Sequence, residues 1–351
     1  MKIVIFLPNW IGDVVMATPA VRAVREQFAS AEIVGVCKPY VAEVLEGSPR
    51  FDRIDFLDSR GPSSHGWHAV ARRLRRDRPD LAVLFPNSFR SAITAWLGGA
   101  RRIVGFNRYA RGWLLTDSLD AQRGADGRYV PSPIIDDYNR IAIAAGTSTP
   151  SRQMELFTTP RDEIAADAVL SRLGLTAARE LVLLNPGAAF GAAKHWPVEH
   201  FARLASDFVE RRGSHVLVLC GPKERDMARW IVSLAGSPNV VSLADAELSI
   251  GLTKALVRRC DLLVTTDSGP RHFAAAFDRP VVSLFGPTHI AWTETYFDKA
   301  IHLQKQVPCG PCQQRTCSTD HRCMKDLSPE EVFAAATSVL GGGRLYSSRS
   351  A

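Results

Sequence analysis

Two apolar runs, Leu262–Thr265 and Val281–Phe285, bracket the turn Asp267-Ser268-Gly269-Pro270 and a short apolar helix with His272 near its start. No other stretch constrains the fold as much. Two apolar strands joined through one helix argue for a parallel pair, because the helix carries the chain back to the end where the first strand began. Gly269 lets the backbone approach a ligand, and Pro270 suits a first helical turn, where its missing N–H costs nothing. The amides left over in such a turn, with the positive end of the helix dipole, offer a phosphate site. Gly286-Pro287-Thr288 ends the second strand and puts another loop beside the first. Paired strand ends of this kind bind nucleotides in open α/β sheets. Ordinary tight strand-to-helix turns give the same local pattern.

The alternation extends over the chain. Lys2–Pro8, Glu32–Lys38, Asp80–Pro86 and Arg102–Phe106 read as strands, with helices over Val14–Phe28, Trp67–Arg76 and Ser88–Leu97 between them. A second series has strands Leu181–Asn185, His215–Cys220, Val240–Leu243, Leu262–Thr265 and Val281–Phe285. Its helices are Pro197–Arg212, Glu224–Ala235, Ser249–Arg258 and Arg271–Phe277. The clearest is that at Pro197, with Phe201, Ala205, Phe208 and Val209 on one face and Gly213 as a stop. Strict βα order predicts parallel sheets covered on both faces. The two series part near Thr147–Asp162, so the chain is expected to form two Rossmann-like domains, enough for 351 residues. Pro19 falls inside a helical stretch; either the helix kinks there or Thr18 caps a later start.

Composition narrows the class. No 18-residue apolar run occurs, and Ile3–Leu7 is too short for a leader, so the protein is expected to be cytoplasmic. Cys37, Cys220 and Cys260 sit in or beside apolar elements, where a reduced thiol acts as a small hydrophobe. The net charge of +7 is concentrated at Arg72, Arg73, Arg75, Arg76 and Arg78 and again at Arg101, Arg102, Arg108 and Arg111. Such excess suits an anionic partner, or a solvated helix face. Nucleic acid is disfavoured, since no helix-turn-helix, RNA-binding sheet signature or zinc-finger spacing is present. A nicotinamide dehydrogenase is disfavoured too: the first strand is not followed by G-x-G-x-x-G.

Several side chains carry a chemical option beside a structural one. Asp13, in the first strand-to-helix loop, is placed either to take a proton or to cap a helix. Lys194 precedes a helix N-terminus, a poor place for a cation unless an anion lies between them; otherwise it is an exposed surface lysine. Asn87 and Ser88 follow the Asp80–Pro86 strand and are natural caps, while Arg90 can grip a phosphate or carboxylate. Cys309-x2-Cys312-x4-Cys317-x5-Cys323, with His321 nearby, has spacing for zinc, with plain thiols or disulfides as the alternatives. Ser328-Pro329-Glu330-Glu331 starts a last helix.

Four segments in this order resemble the ADP-heptose:lipopolysaccharide heptosyltransferase family: LPNWIGDVVMATPAVRAVR (7–25), LFPNSFRSA with VGFNRYARGWLL (84–115), NPGAAFGAAKHWP (185–197) and TTDSGPRHFAAAFDRPVVSLFGPT (265–288). With the Cys-rich segment they cover nearly the whole chain, and they are most similar to heptosyltransferase II, which adds the second inner-core heptose. The resemblance implies the α/β GT-B architecture, two Rossmann-like domains facing across a cleft. It assigns residues 1–160 to acceptor binding and 161–327, with the Cys-rich segment, to the ADP-sugar. Residues 328–340 form a helix packing back on the N-terminal domain, and 341–351 a flexible tail.

The implied reaction is inverting transfer from ADP-heptose, with no resident cofactor and no metal. Asp13 aligns with the family's general base. Lys194 faces the diphosphate, with Gly187, the Ser268 and Gly269 amides and His272 beside it. Asp267 binds a hydroxyl of the heptose or ribose, and Glu224 is a weaker ribose contact. Asn87, Ser88 and Arg90 line the acceptor side, with Arg108 and Arg111 as further candidates. The acceptor is a phosphorylated glycolipid, which implies peripheral contact at the cytoplasmic face of the inner membrane. Family members carry Met or Leu where this chain has Arg271. The Cys-rich segment has no role in the chemistry on this reading. Rival readings are another nucleotide sugar or acceptor on the same scaffold, or a non-catalytic nucleotide-sugar sensor. Asp13 together with Lys194 favours the enzyme, since a sensor needs no base.

Overall fold

In the computed structural model, which describes residues 1–125 and 127–341, the chain divides into two compact units. One is Met1–Phe157 with Ala291–Thr295; the other is Thr158–Ile290 with the chain from Tyr296 onward. The expected flexible tail lies, beyond Gly341, outside the described residues.

The first unit runs β1 (Lys2–Phe6), α1 (Ile11–Gln27), β2 (Glu32–Cys37), α2 (Pro39–Leu45), β3 (Arg53–Phe56), α3 (Trp67–Asp77), β4 (Leu81–Leu84), α4 (Phe89–Leu97), β5 (Arg102–Phe106), β6 (Asp117–Leu119) and α5 (Ile134–Ala145). The six strands form one parallel sheet in the order β3-β2-β1-β4-β5-β6. Central strands are buried on both faces, which is why β1 and β4 read as unbroken apolar runs. Val70 and Leu74 of α3 and Ala92 and Ala95 of α4 pack on Val4, Phe6, Ala82 and Leu84. After β3 the chain crosses back over β1 to reach β4, so the strand order reverses between β1 and β4. Helices leave opposite faces at such a point, and the crevice opens at the strands' carboxyl ends.

The second unit runs α6 (Pro160–Arg172), β7 (Leu181–Asn185), α7 (Val198–Arg212), β8 (His215–Val218), α8 (Arg225–Ala235), β9 (Val240–Ser242), α9 (Ile250–Arg259), β10 (Leu262–Thr266), α10 (Pro270–Ala276), β11 (Val281–Phe285), β12 (Ala300–Gln304), α11 (Arg322–Lys325) and α12 (Pro329–Leu340). Its sheet is again six-stranded and parallel, in the order β12-β11-β10-β7-β8-β9, and it reverses between β7 and β10. Helix α7 buries Phe201, Ala205 and Phe208 and stops at Gly213 in the left-handed conformation, as its pattern requires.

Several expectations need correcting. Helix α1 continues through Pro19, and the Thr18 hydroxyl donates to the Val15 carbonyl at 2.7 Å instead of capping a new start. The last helix, α12, buries Val332, Phe333, Ala336 and Val339 and packs on α7, β11 and β12 of the second unit, with Phe333 against Phe208. Strands β3, β6 and β12 were not read from the sequence. All three are short or half-buried edge strands, so none needs a continuous apolar run. Helix α6 starts within the stretch where the two series part, on a capping box formed by Thr159 and Asp162.

Candidate active site

In the second unit the loops after β7 and β10 flank the reversal point. Asn185 ties them together. Its amide nitrogen donates to Thr265 Oγ1 at 2.9 Å and Ser268 Oγ at 2.8 Å, while Thr266 Oγ1 donates to the Gly187 carbonyl at 2.8 Å. Between them, a 3-10 turn over Ala192–Lys194 turns Lys194 inward, leaving it only 8% exposed. Its Nζ donates to Asp267 Oδ2 at 2.5 Å and to the Asp267 carbonyl at 2.9 Å. Asp267 also accepts from Arg271 through Oδ1 at 3.2 Å and from Thr288 Oγ1 at 2.7 Å. One buried carboxylate thus serves two cations and a hydroxyl. Burial opposes its ionisation, but Lys194 and Arg271 outweigh that penalty and hold its pKa at about 2.

This cluster settles two alternatives. Lys194 is not an exposed surface lysine, and the anion demanded beside it is in part the protein's own Asp267. Arg271 points inward, 2% exposed, with its guanidinium 5.0 Å from the centre of the Phe285 ring. The carboxylate's first task is to hold these cations, a role that the assigned sugar-hydroxyl contact of Asp267 did not foresee.

The expected phosphate turn is narrower than it looked. Helix α10 has seven residues, and its Arg271 and His272 amides already donate to the Ser268 and Gly269 carbonyls, at 3.3 and 3.0 Å. Among the described residues, the Ser268 and Gly269 amides donate to no protein acceptor. His272 is buried, its Nδ1 has no protein partner, and burial with the nearby Arg271 charge drives its pKa well below the usual histidine value. Both effects favour the neutral ring, which can still donate or accept one hydrogen bond. Glu224 closes over Gly187. A Cβ at Gly187 would stand 2.1 Å from both of its carboxylate oxygens, one of which accepts from the Gly221 amide at 2.8 Å. Gly187, Lys194, Glu224, Asp267 and Ser268 therefore come from three adjacent strand ends. Asn185 and Thr288 were missed as site residues. A polar residue closing an apolar strand beside such a loop was the available signal for Asn185; for Thr288 it was its place in the Gly286-Pro287-Thr288 loop beside the first one.

In the first unit the loops after β1 and β4 flank the other reversal point. Trp10 occupies the cap position of α1, so Asp13 lies in the first turn and the cap alternative falls away. Asp13 is half-buried, and after burial itself its charge is the next cause raising the Tyr138 phenol pKa. Ser88 does cap α4, accepting from the Ser91 amide at 3.1 Å, which occupies the hydroxyl assigned to the acceptor. Arg90 is exposed and donates to Ser59 Oγ at 2.9 Å. Asn87 Oδ1 accepts from Arg111 at 3.4 Å.

Arg111 leaves the acceptor list. It is fully buried, and its guanidinium donates to the carbonyls of Pro86 (2.5 Å), Phe106 (2.9 Å) and Ser88 (3.0 Å). Burial, with Arg108 nearby, lowers its pKa to about 10. It is a structural pin for the loop bearing Asn87. Arg111→Ala is expected to cost about 3 kcal/mol by removing a fully buried side chain together with its hydrogen bonds to three carbonyls. Urea denaturation reads this; unchanged stability with a raised acceptor KM would return Arg111 to the acceptor side. Arg108 stacks on Tyr129 at 3.6 Å. Of the arginine run, Arg73 turns back to the Ser64 carbonyl at 2.7 Å, while Arg72, Arg75, Arg76 and Arg78 form a solvated face.

The remaining cysteines are free. Burial pushes the Cys37 and Cys260 thiols up to about 12 and Cys220 to about 11, as small buried hydrophobes. Cys309, Cys312, Cys317 and Cys323 line one cavity with His321. Among the described residues, no group of three or more His, Cys, Asp or Glu side chains is arranged to hold a metal ion. None of the described helices is long and apolar enough to cross a membrane.

Two parallel, doubly wound sheets, one with a buried Lys-Asp-Arg cluster at its reversal point, define an α/β protein of the nucleotide-binding class. The chain belongs to glycosyltransferase family 9 (heptosyltransferase), whose family model matches residues 67–322. It is accordingly a glycosyltransferase, and its two Rossmann-like units are those of the GT-B fold. It is 28% identical to lipooligosaccharide heptosyltransferase 2 of Campylobacter jejuni, over 98% of this chain and all of that one. It is 25% identical to lipopolysaccharide heptosyltransferase 2 of Escherichia coli K12, over 97% of this chain and 99% of that one. The solved E. coli ADP-heptose LPS heptosyltransferase II matches with a TM-score of 0.80 at 24% identity, over 98% of this chain and all of that chain. The family resemblance read from the four segments is borne out.

Proposed function

We propose that this glycosyltransferase moves a heptose from ADP-L-glycero-β-D-manno-heptose to the inner-core heptose of lipopolysaccharide, with inversion at the anomeric carbon. Near-full-length likeness to proteins named heptosyltransferase 2 supports the substrate pair. The observation that carries the chemistry is the buried Lys194–Asp267–Arg271 cluster at the end of β7 and β10.

An acceptor hydroxyl is a weak nucleophile near neutral pH. Asp13 takes its proton as the oxygen attacks the anomeric carbon. The bond from that carbon to the ADP oxygen breaks, and ADP leaves with the electron pair. Lys194 and the Ser268 and Gly269 amides stabilise the diphosphate charge, positioned before the reaction begins. Neutral His272 supplies at most a hydrogen bond. Glu224, over Gly187, takes ribose hydroxyls, and Asp267 aims Lys194 and can accept from a sugar hydroxyl. Asn87 and Arg90 meet the phosphorylated acceptor beside the Ser88 cap, with Arg90 as the bidentate partner for phosphate or a sugar-acid carboxylate. The nucleotide sugar is the donor substrate, and neither a resident cofactor nor a divalent metal is required. The acceptor, being a glycolipid, brings the enzyme to the cytoplasmic face of the inner membrane.

Purified protein incubated with ADP-heptose and lipopolysaccharide truncated after the first heptose tests this reading. ADP release with one added heptose by mass supports it. Transfer from a different nucleotide sugar alone, or donor binding without turnover, overturns it. Lys194→Ala should weaken ADP binding about thirtyfold, the equivalent of a charge-assisted contact worth about 2 kcal/mol. Calorimetry giving wild-type ADP affinity for that variant would remove Lys194 from the diphosphate site.

A further inference from the structure

The donor loop does not hold its shape alone. The Ala193 peptide, immediately before Lys194, is gripped from both sides by the Cys-rich segment. Its amide donates to the Arg315 carbonyl at 3.0 Å, and its carbonyl lies 2.8 Å from His321 Nε2. A carbonyl can only accept, so Nε2 carries the proton and donates. Gly191 permits the approach: a Cβ there would stand 2.3 Å from the Arg315 carbonyl oxygen. The same segment holds the other loop. The Gln313 amide donates to the Pro287 carbonyl at 2.8 Å, and a Cβ at Gly286 would stand 2.5 Å from Met324 Sδ. These two loops bring Lys194 and Thr288 to the same oxygen of Asp267. Just beyond Lys194, Trp196 Nε1 donates to the Leu327 carbonyl at 2.8 Å.

We infer that residues 309–327 form a strap that sets the position of Lys194, with His321 as its positioning residue. The strap therefore has a part in the reaction, contrary to the sequence reading that gave it none. His321 touches no reacting atom; it acts through the Ala193 carbonyl. The four cysteines line one cavity together with Ala193, Gly286, Pro287 and His321. The consequence for catalysis rests on the proposed role of Lys194 at the diphosphate, whereas the tether itself can be tested without it.

The test compares wild type, His321→Ala and His321→Gln, the last keeping an N–H donor of similar reach. Hydrogen exchange followed by mass spectrometry reads the amides of residues 191–195, and calorimetry reads ADP affinity. In His321→Ala, exchange should rise in that peptide and not across the rest of the second unit, with a nearly unchanged melting temperature. ADP affinity should fall about tenfold, the size of one hydrogen bond's net contribution, and His321→Gln should recover most of both. Wild-type exchange at 191–195 in His321→Ala overturns the strap, as does exchange raised throughout the unit with no recovery by Gln. If wild type itself does not bind ADP, the proposed function fails, and the exchange comparison still decides the tether.

Discussion

Asp13→Asn should reduce turnover at least about a hundredfold with both substrates saturating, the usual contribution of a positioned general base. ADP affinity should stay at its wild-type value, because the nucleotide contacts are assigned to Gly187, Lys194, Glu224, Ser268 and Gly269. Stability is not an escape route for this result. Asp13 is a first-turn residue of α1 and not its cap, and denaturant unfolding of the variant separates any loss of stability from the loss of turnover. A kcat within a few-fold of wild type would defeat the proposed mechanism.

Asp267→Asn should be the most destabilising single change in the donor site. It strips the carboxylate from Lys194, which is 8% exposed, and from Arg271, which is 2% exposed. Removing one partner from a buried charge pair costs about 3–5 kcal/mol, a large fraction of ordinary domain stability. The pH dependence has a definite sign. The Asp267 pKa falls from 3.8 unfolded to about 2 folded, so its contribution is present above pH 4 and is lost as pH falls towards 2. That shift corresponds to about 2 kcal/mol. The gap in unfolding free energy between wild type and variant should therefore narrow between pH 4 and pH 2. Denaturant unfolding in which the variant lies within about 1 kcal/mol of wild type at neutral pH would show that the cations need no carboxylate.

The family and the βα order were legible because they depend on local pattern. Buried parallel strands must be apolar on both faces, so β1, β4, β7, β10 and β11 announce themselves. Loop segments that approach a ligand must carry small residues and particular polar ones, so the segments at 7–25, 185–197 and 265–288 could be matched as words. Capping was legible too: Thr159 and Asp162 spell a capping box where the two series part.

What a side chain does with its charge depends on neighbours far away in the chain, and only the tertiary structure decided that. Asp13 and Trp10 differ by three positions, yet which of them caps α1 follows from where the β1 strand releases the chain. Arg111 and Arg90 look equally fit for a phosphate. The fold buries one on backbone carbonyls and leaves the other at the surface. Arg271 lies four residues from Asp267 in the same turn, but Lys194 meets Asp267 only because the strand order places β7 beside β10, across a sequence separation of 73 residues. His321 reaches Ala193 over 128 residues. No periodicity or spacing encodes such meetings, because a hydrogen bond between loops is fixed by the sheet that positions their ends and not by the residues between them.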